Sequence, residues 1–147
     1  IAYVSEPGFW YPTQSEAQGL RDYLAKGGFV IFDDFQGPRE WGVFERGLRT
    51  AIPDAQIVAM TPQHAIFDSF FHIPALDMTY PNRPFIQAEF YGIYEDNDPQ
   101  KRLMVIINYN NDIGDYIQHS GQGWHPINLT NDAYKFAVNY IMYGMTR

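Results

Sequence analysis

Residues 20–37 read LRDYLAKGGFVIFDDFQG, and the predicted fold class follows from this stretch. A helical pattern ends at Gly27 and Gly28, and the apolar run FVIF at 29–32 comes next. An apolar run without polar alternation is typical of a strand that is buried on both faces of a parallel sheet. Two aspartates then end the strand, and a Gly-Pro pair starts another helical pattern. The stretch therefore predicts an α/β protein.

The same alternation of strands and helices continues on both sides of this stretch. On the N-terminal side, IAYVS at 1–5 predicts a strand, and a capping-box pair at positions 13 and 16 predicts the start of a helix. On the C-terminal side, an apolar stripe over 41–52 predicts a helix, and QIVAM at 56–60 predicts a strand. This order of elements predicts a parallel sheet sandwiched by helices.

The second half of the chain has a different pattern. Residues 61–85 are loop-like around Pro74, Pro81 and Pro84, and HAIFDSFF has room for one or two helical turns. Two apolar segments near residues 88–109, separated by an Asp-Asn-Asp-Pro turn, predict an antiparallel strand pair. A polar loop of about 20 residues and an amphipathic helix over 131–145 complete one predicted domain at 1–147.

The composition excludes several classes of function. The net charge of −7 and the scattered basic residues argue against nucleic-acid binding, which needs clustered Lys and Arg. The chain has no cysteine, which excludes disulfides, thiolate metal sites and cysteine nucleophiles. No apolar run reaches the roughly 20 residues that span a bilayer. The aromatic fraction of 17% indicates a Tyr-rich core and rim, or an aromatic-lined groove for a sugar or peptide.

Polar side chains follow three of the predicted strands. Ligands of open α/β sheets bind outside the carboxyl ends of the strands, so these side chains mark the expected site. We predict that the ligand-binding residues are Glu6, Asp34, Asn110, Asn111 and Asp112. Strand alternation would point Asp33 and Asp34 in opposite directions, so only one of them needs to face a shared crevice. Capping of the following loop or helix is the competing interpretation of the two aspartates.

Residues 108–115 have a superficial similarity to a calcium loop. An EF-hand needs Gly in its sixth position and Glu in its twelfth, where this chain has Ile113 and His119. A metal set of His119 with Asp112 and Asp115 is an alternative, but the histidines lack the spacing of a zinc motif. Phosphate loops and dinucleotide fingerprints are absent from the sequence. We therefore predict no metal site and no cofactor, and the stretch is either a structural turn or one wall of a crevice.

Few residues are candidates for catalysis. The candidates for a general base are Asp33, Asp34 and His64, and an aspartate paired with His64 would define a hydrolase that acts on carbohydrate. No serine lies in a G-x-S-x-G nucleophile elbow. A hydrogen-bonded structural histidine is the competing interpretation of His64. Hydrogen-bond reach between His64 and an aspartate in an enclosed cleft would favour the hydrolase.

Several segments resemble the bacterial domain of unknown function family 4159. The similarity keeps the same order over essentially the whole chain, and departs from the usual family pattern at Gln36 and Ala65. The segments that carry the resemblance are 20–37, W-x-x-F-E-R at 41–46, the His-x-Ile-Phe step at 64–67, the stretch 91–115 and the closing helix at 133–146.

The resemblance implies a flavodoxin-like fold, similar to class I glutamine amidotransferases, with a further strand and helix expected before residue 1. It also implies a periplasmic or extracellular location. Glutaminase chemistry is not expected, because it requires a cysteine nucleophile. Our leading hypothesis is an amidotransferase-like domain that binds a small polar ligand or a protein partner at the carboxyl edge of the sheet. The alternatives are the hydrolase and a structural module of an envelope-associated assembly.

Overall fold

A five-stranded sheet runs through the molecule in the computed structural model, which describes residues 1–78 and 86–147. Its strands are β1 (Ala2–Ser5), β2 (Val30–Phe35), β3 (Val58–Ala59), β4 (Glu89–Tyr94) and β5 (Leu103–Tyr109). Their spatial order is β1-β2-β5-β4-β3. β1, β2 and β5 pair in parallel, whereas β4 pairs antiparallel with both β5 and β3. The expected α/β class and the antiparallel pair near 88–109 are confirmed.

The helices are α1 (Gln14–Ala25), α2 (Gly37–Ala51), α3 (Ile113–Gln118) and α4 (Ile127–Thr146). The predicted capping box starts α1, because Thr13 N donates to Glu16 Oε2 at 2.7 Å and Glu16 N donates to Thr13 Oγ1 at 3.3 Å. The prediction of a continuous polar loop after β5 is wrong. That stretch contains α3, whose first turn is capped where Asp115 N donates to Asp112 Oδ1 at 2.8 Å. α4 also begins earlier than the predicted position 131.

Helices cover both faces of the sheet. This arrangement is required because successive apolar side chains of β2 and β5 point to opposite faces. Val30 and Phe32 of β2 pack with α1 and α2 on one face, in a cluster that includes Phe44 and Leu48. Ile31 points to the other face, where it belongs to a cluster that includes α4. Full burial of one such apolar side chain contributes about 1.5–3 kcal/mol. The continuous apolar run of β2 is therefore explained by contacts on both faces.

Two predictions for residues 56–85 have different outcomes. The strand predicted at 56–60 is reduced to the two residues of β3 and lies at the far edge of the sheet, beside β4. HAIFDSFF forms a single 3-10 turn, Ala65–Asp68. The loop predicted around Pro81 and Pro84 lies outside the described residues. Within the described ranges, no helix has the length and apolarity needed to cross a membrane.

Candidate functional site

An open cleft of about 810 Å³ lies where the carboxyl ends of β1, β2 and β5 meet. The five residues predicted from the sequence to bind ligand all line this cleft: Glu6, Asp34, Asn110, Asn111 and Asp112. Further lining residues include Phe9, Glu40, Asp115, Trp124 and His125. The cleft is therefore built by three strand ends and closed on one side by the segment that joins α3 to α4.

The backbone turns sharply at each of the three strand ends. Glu6, Asp34 and Asn110 adopt left-handed conformations, with φ of 52°, 65° and 56°. Such angles are uncommon for residues other than glycine and cost of the order of 1 kcal/mol each. Hydrogen bonds hold the turns in place: Asp34 N donates to Asn111 O at 3.1 Å, and Asn110 N donates to Phe35 O at 2.9 Å. These turns bring the side chains that follow each strand to the cleft.

Asp33 does not line the cleft, because it is fully buried beneath it. Its carboxylate accepts hydrogen bonds from Tyr3 Oη at 2.6 Å, Gly114 N at 2.9 Å and Asn108 Nδ2 at 3.1 Å. Burial raises the pKa of Asp33, although these donors favour its charged form. Asp33 therefore ties β1, β2, β5 and α3 together below the site.

Asp34 and Asp112 form a hydrogen-bonded carboxyl pair in the cleft. Burial raises the pKa of Asp34 to about 7, and the negative charge of Asp112 adds to the effect. Burial likewise raises the pKa of Asp112 to about 6. Two neighbouring carboxyl groups resist simultaneous ionisation because their negative charges repel each other. The pair therefore retains a proton at pH values where an isolated aspartate has lost it.

A second polar cluster lies beside the carboxyl pair. Asp115 bridges two histidines, with its Oδ2 2.8 Å from His125 Nε2 and its Oδ1 3.3 Å from His119 Nε2. The His119 ring stacks on the indole of Trp124, with the ring centroids 4.1 Å apart and the planes at 22°. The Asp115–His119 contact therefore fixes the position of an indole at the cleft.

Trp124 and His125 line the cleft but are not among the site residues predicted from the sequence. Both lie in the segment between α3 and α4, which folds back over the strand ends, and this tertiary arrangement has no local signature. A Trp next to a His within an otherwise polar, Gly-rich stretch was the available signal. The sequence indicates Asp115 only as a member of the alternative metal set with His119 and Asp112.

The structure places His64 at the opposite end of the sheet from Asp33 and Asp34. Its Nδ1 accepts a hydrogen bond from Ile66 N at 3.1 Å, and its ring packs against Tyr94 and Tyr143. Burial lowers the pKa of His64. The structure does not form the aspartate–His64 pair on which the hydrolase hypothesis depended, and His64 makes the contacts of a structural histidine.

Within residues 1–78 and 86–147, no group of three or more His, Asp and Glu side chains is arranged to hold a metal ion. His119 Nε2 lies 3.3 Å from Asp115 Oδ1, and the other contact of its ring is the stack on Trp124.

The protein is an α/β protein with an acidic cleft at the carboxyl edge of a mostly parallel sheet. The chain belongs to the family described as Domain of unknown function (DUF4159), whose family model matches residues 1–145. A comparison with curated proteins finds no significant match.

Proposed function

We propose that this domain binds a small polar ligand, neutral or positively charged, in the cleft at the carboxyl edge of the sheet. The observation that carries the proposal is the convergence of side chains from three separate strand ends on one cleft. A volume of about 810 Å³ falls within the range typical of small-molecule sites, which favours a small ligand over a protein partner. Glutaminase activity is not part of the proposal, since the chain has no cysteine.

The charge of the cleft determines which ligands fit. Five carboxylate side chains line it: Glu6, Asp34, Glu40, Asp112 and Asp115. Among the described residues that line it, none is Lys or Arg. A cleft lined by one sign of charge attracts the opposite sign and repels its own. Anionic ligands such as nucleotides and sugar phosphates are therefore disfavoured.

The raised pKa values of the carboxyl pair support a binding role. Asp34 and Asp112 are partly desolvated, and their mutual repulsion destabilises the folded state once both are charged. Groups with perturbed pKa values in a cleft are common at functional sites. Contact between the two carboxyl groups lowers the stability of the folded state, and a ligand that binds to them would offset this cost.

A thermal-shift screen tests this proposal. Wild type, Asp112→Asn and Asp54→Asn are screened against neutral sugars, amino acids, amines, nucleotides and divalent metal salts. Asp112→Asn keeps a side-chain oxygen to cap α3, and Asp54 is an exposed aspartate outside the cleft. A ligand at 100 times its Kd stabilises the folded state by about 2.7 kcal/mol. We expect that shift in wild type and Asp54→Asn and a smaller one in Asp112→Asn.

Two outcomes contradict the proposal. One is that no compound raises the melting temperature of the wild type. The other is that every active compound stabilises Asp112→Asn and wild type equally, because binding would then occur away from the carboxyl pair.

A further inference from the structure

We propose that the ligand of the cleft is a neutral carbohydrate, bound through the indole of Trp124 and the polar side chains of the strand ends. This inference rests on the proposed function and narrows it to one class of ligand. A sugar ring has an apolar C–H face and a rim of hydroxyls that both donate and accept hydrogen bonds. The cleft offers a matching partner for each of these features.

The first feature is a fixed and exposed aromatic surface. Trp124 lines the cleft and is 66% exposed. Its stack on His119 covers one face of the indole, and Asp115 holds His119 in place. Phe9 also lines the cleft and is 62% exposed. An indole held at the edge of a polar cleft suits a ligand that is apolar on one face and polar on the other.

The second feature is a buried donor that lacks a partner. Asn111 lines the cleft and is only 3% exposed, and its Nδ2 has no hydrogen-bond partner among the described residues. The amide orientation is fixed, because Asn111 Oδ1 accepts a hydrogen bond from Asp112 N at 2.9 Å. A buried N–H without an acceptor is unfavourable, so a ligand oxygen that bonds to Asn111 Nδ2 would be stabilising.

The third feature is a set of hydrogen-bond acceptors in the same cleft. Carboxylate oxygens of Glu6, Asp34 and Asp112 line the same cleft and can accept hydrogen bonds from hydroxyl groups. A hydroxylated ligand can satisfy these acceptors and the Asn111 donor together. A cation without an oxygen acceptor, such as a polyamine, would satisfy the carboxylates but would leave Asn111 Nδ2 without an acceptor.

Several carboxylates of the cleft already have polar partners within the protein. Asp115 contacts two histidines, and Glu40 Oε2 accepts a hydrogen bond from Gln36 N at 2.7 Å. Asp34 and Asp112 are hydrogen-bonded to each other. These internal contacts reduce the need for a positive charge on the ligand, which favours a neutral sugar over an amine.

Isothermal titration calorimetry with named probes tests the inference. The neutral probes are cellotetraose, xylotetraose, maltotetraose and chitotetraose, and the cationic probes are spermidine and arginine methyl ester. The variants are Trp124→Ala, Trp124→Phe, Asp34→Asn and Tyr11→Ala. Tyr11 provides the matched control, because it is an aromatic residue that is 71% exposed and does not line the cleft. Asparagine tolerates the left-handed backbone of Asp34.

We expect at least one neutral tetrasaccharide to bind wild type. Trp124→Ala should weaken that binding about tenfold, the ratio that corresponds to the loss of one aromatic contact. Trp124→Phe should restore part of the affinity, Asp34→Asn should weaken binding, and Tyr11→Ala should leave it unchanged. Circular dichroism of each variant verifies folding, and the partial rescue by Phe separates loss of the ring from loss of structure.

Other outcomes overturn the inference in distinguishable ways. If spermidine or arginine methyl ester binds and is sensitive to Trp124→Ala while no sugar binds, the cleft is a cation site, and only the carbohydrate inference fails. If a sugar binds wild type, Trp124→Ala and Asp34→Asn equally, it binds elsewhere, and the inference fails. If no compound of this panel or of the wider thermal-shift screen binds, the proposed function fails with it.

Discussion

The two ends of the sheet use the same residue types for different purposes. At the end away from the cleft, Asp96 and Asn97 have left-handed φ of 54° and 57° in the turn between β4 and β5. Their side chains are satisfied within the protein: Lys101 Nζ donates to Asp96 Oδ2 at 2.6 Å, and Asn97 contacts the backbone of both Gln56 and Asp54.

At the cleft end, left-handed Asp34 and Asn110 lie in an equally sharp arrangement, but the surroundings differ. Asp34 contacts a second carboxyl group in place of a lysine, and Asn111 beside them has an unpaired Nδ2. Left-handed Asp and Asn residues therefore do not by themselves mark a site, because they serve equally well in a structural turn. The charge and the unsatisfied groups that surround them distinguish the two ends.

The largest expected effect concerns Asp33, which anchors the cleft end. Asp33→Ala would leave Gly114 N and Asn108 Nδ2 without their acceptor in a buried environment. We expect the free energy of unfolding to fall by about 3–5 kcal/mol, measured by urea denaturation. The matched change at the other end is Lys101→Ala, which removes an exposed ion pair and should have little effect. Similar losses in the two variants would contradict the asymmetry between the ends.

The next prediction compares the stability that is lost when a left-handed asparagine is replaced at each end of the sheet. Asn110→Ala loses the bond that its Oδ1 accepts from Gly37 N at 2.9 Å and places Ala at positive φ. Asn97→Ala also places Ala at positive φ, in the hairpin turn, and it loses the bonds that Asn97 makes to Gln56 N and to Asp54 O. We expect each variant to lose about 1–3 kcal/mol, but only Asn110→Ala to change ligand binding. A loss of binding in Asn97→Ala of the same size would weaken the assignment of function to one end.

Much of this comparison could be predicted from the sequence, since β2 and the end of β5 have clear local patterns. The apolar run at 29–32 predicted a doubly buried strand, and the carboxyl-end rule then brought Glu6, Asp34 and the residues after β5 to one edge. α3 was missed because six residues are too few to show helical periodicity. Trp124 reaches the cleft through a tertiary fold-back, and no pattern around His64 shows at which end of the sheet it lies.

The pH dependence of stability should come largely from the cleft end. The folded pKa of Asp34, about 7, lies above its ordinary value of 3.8. The folded state therefore binds the proton more tightly than the unfolded chain, so this contribution to stability is complete below pH of about 4 and is lost as pH rises through about 7. We expect the melting temperature to fall over this range and the fall to be smaller in Asp34→Asn. Asp54→Asn should keep the wild-type slope, and an unchanged slope in Asp34→Asn would place the responsible group elsewhere.

The smallest expected effect is on stability when the aromatic surface of the cleft is removed. Trp124 is largely exposed, and its main ring contact is the stack on His119. We expect Trp124→Ala to change the free energy of unfolding by no more than about 0.5 kcal/mol, as for most surface substitutions. Tyr11→Ala, an exposed aromatic outside the cleft, should behave alike in urea denaturation. A loss of several kcal/mol in Trp124→Ala alone would mean that the indole stabilises the segment after α3. The position of the indole at the cleft would then be explained by its structural role and would not indicate a ligand.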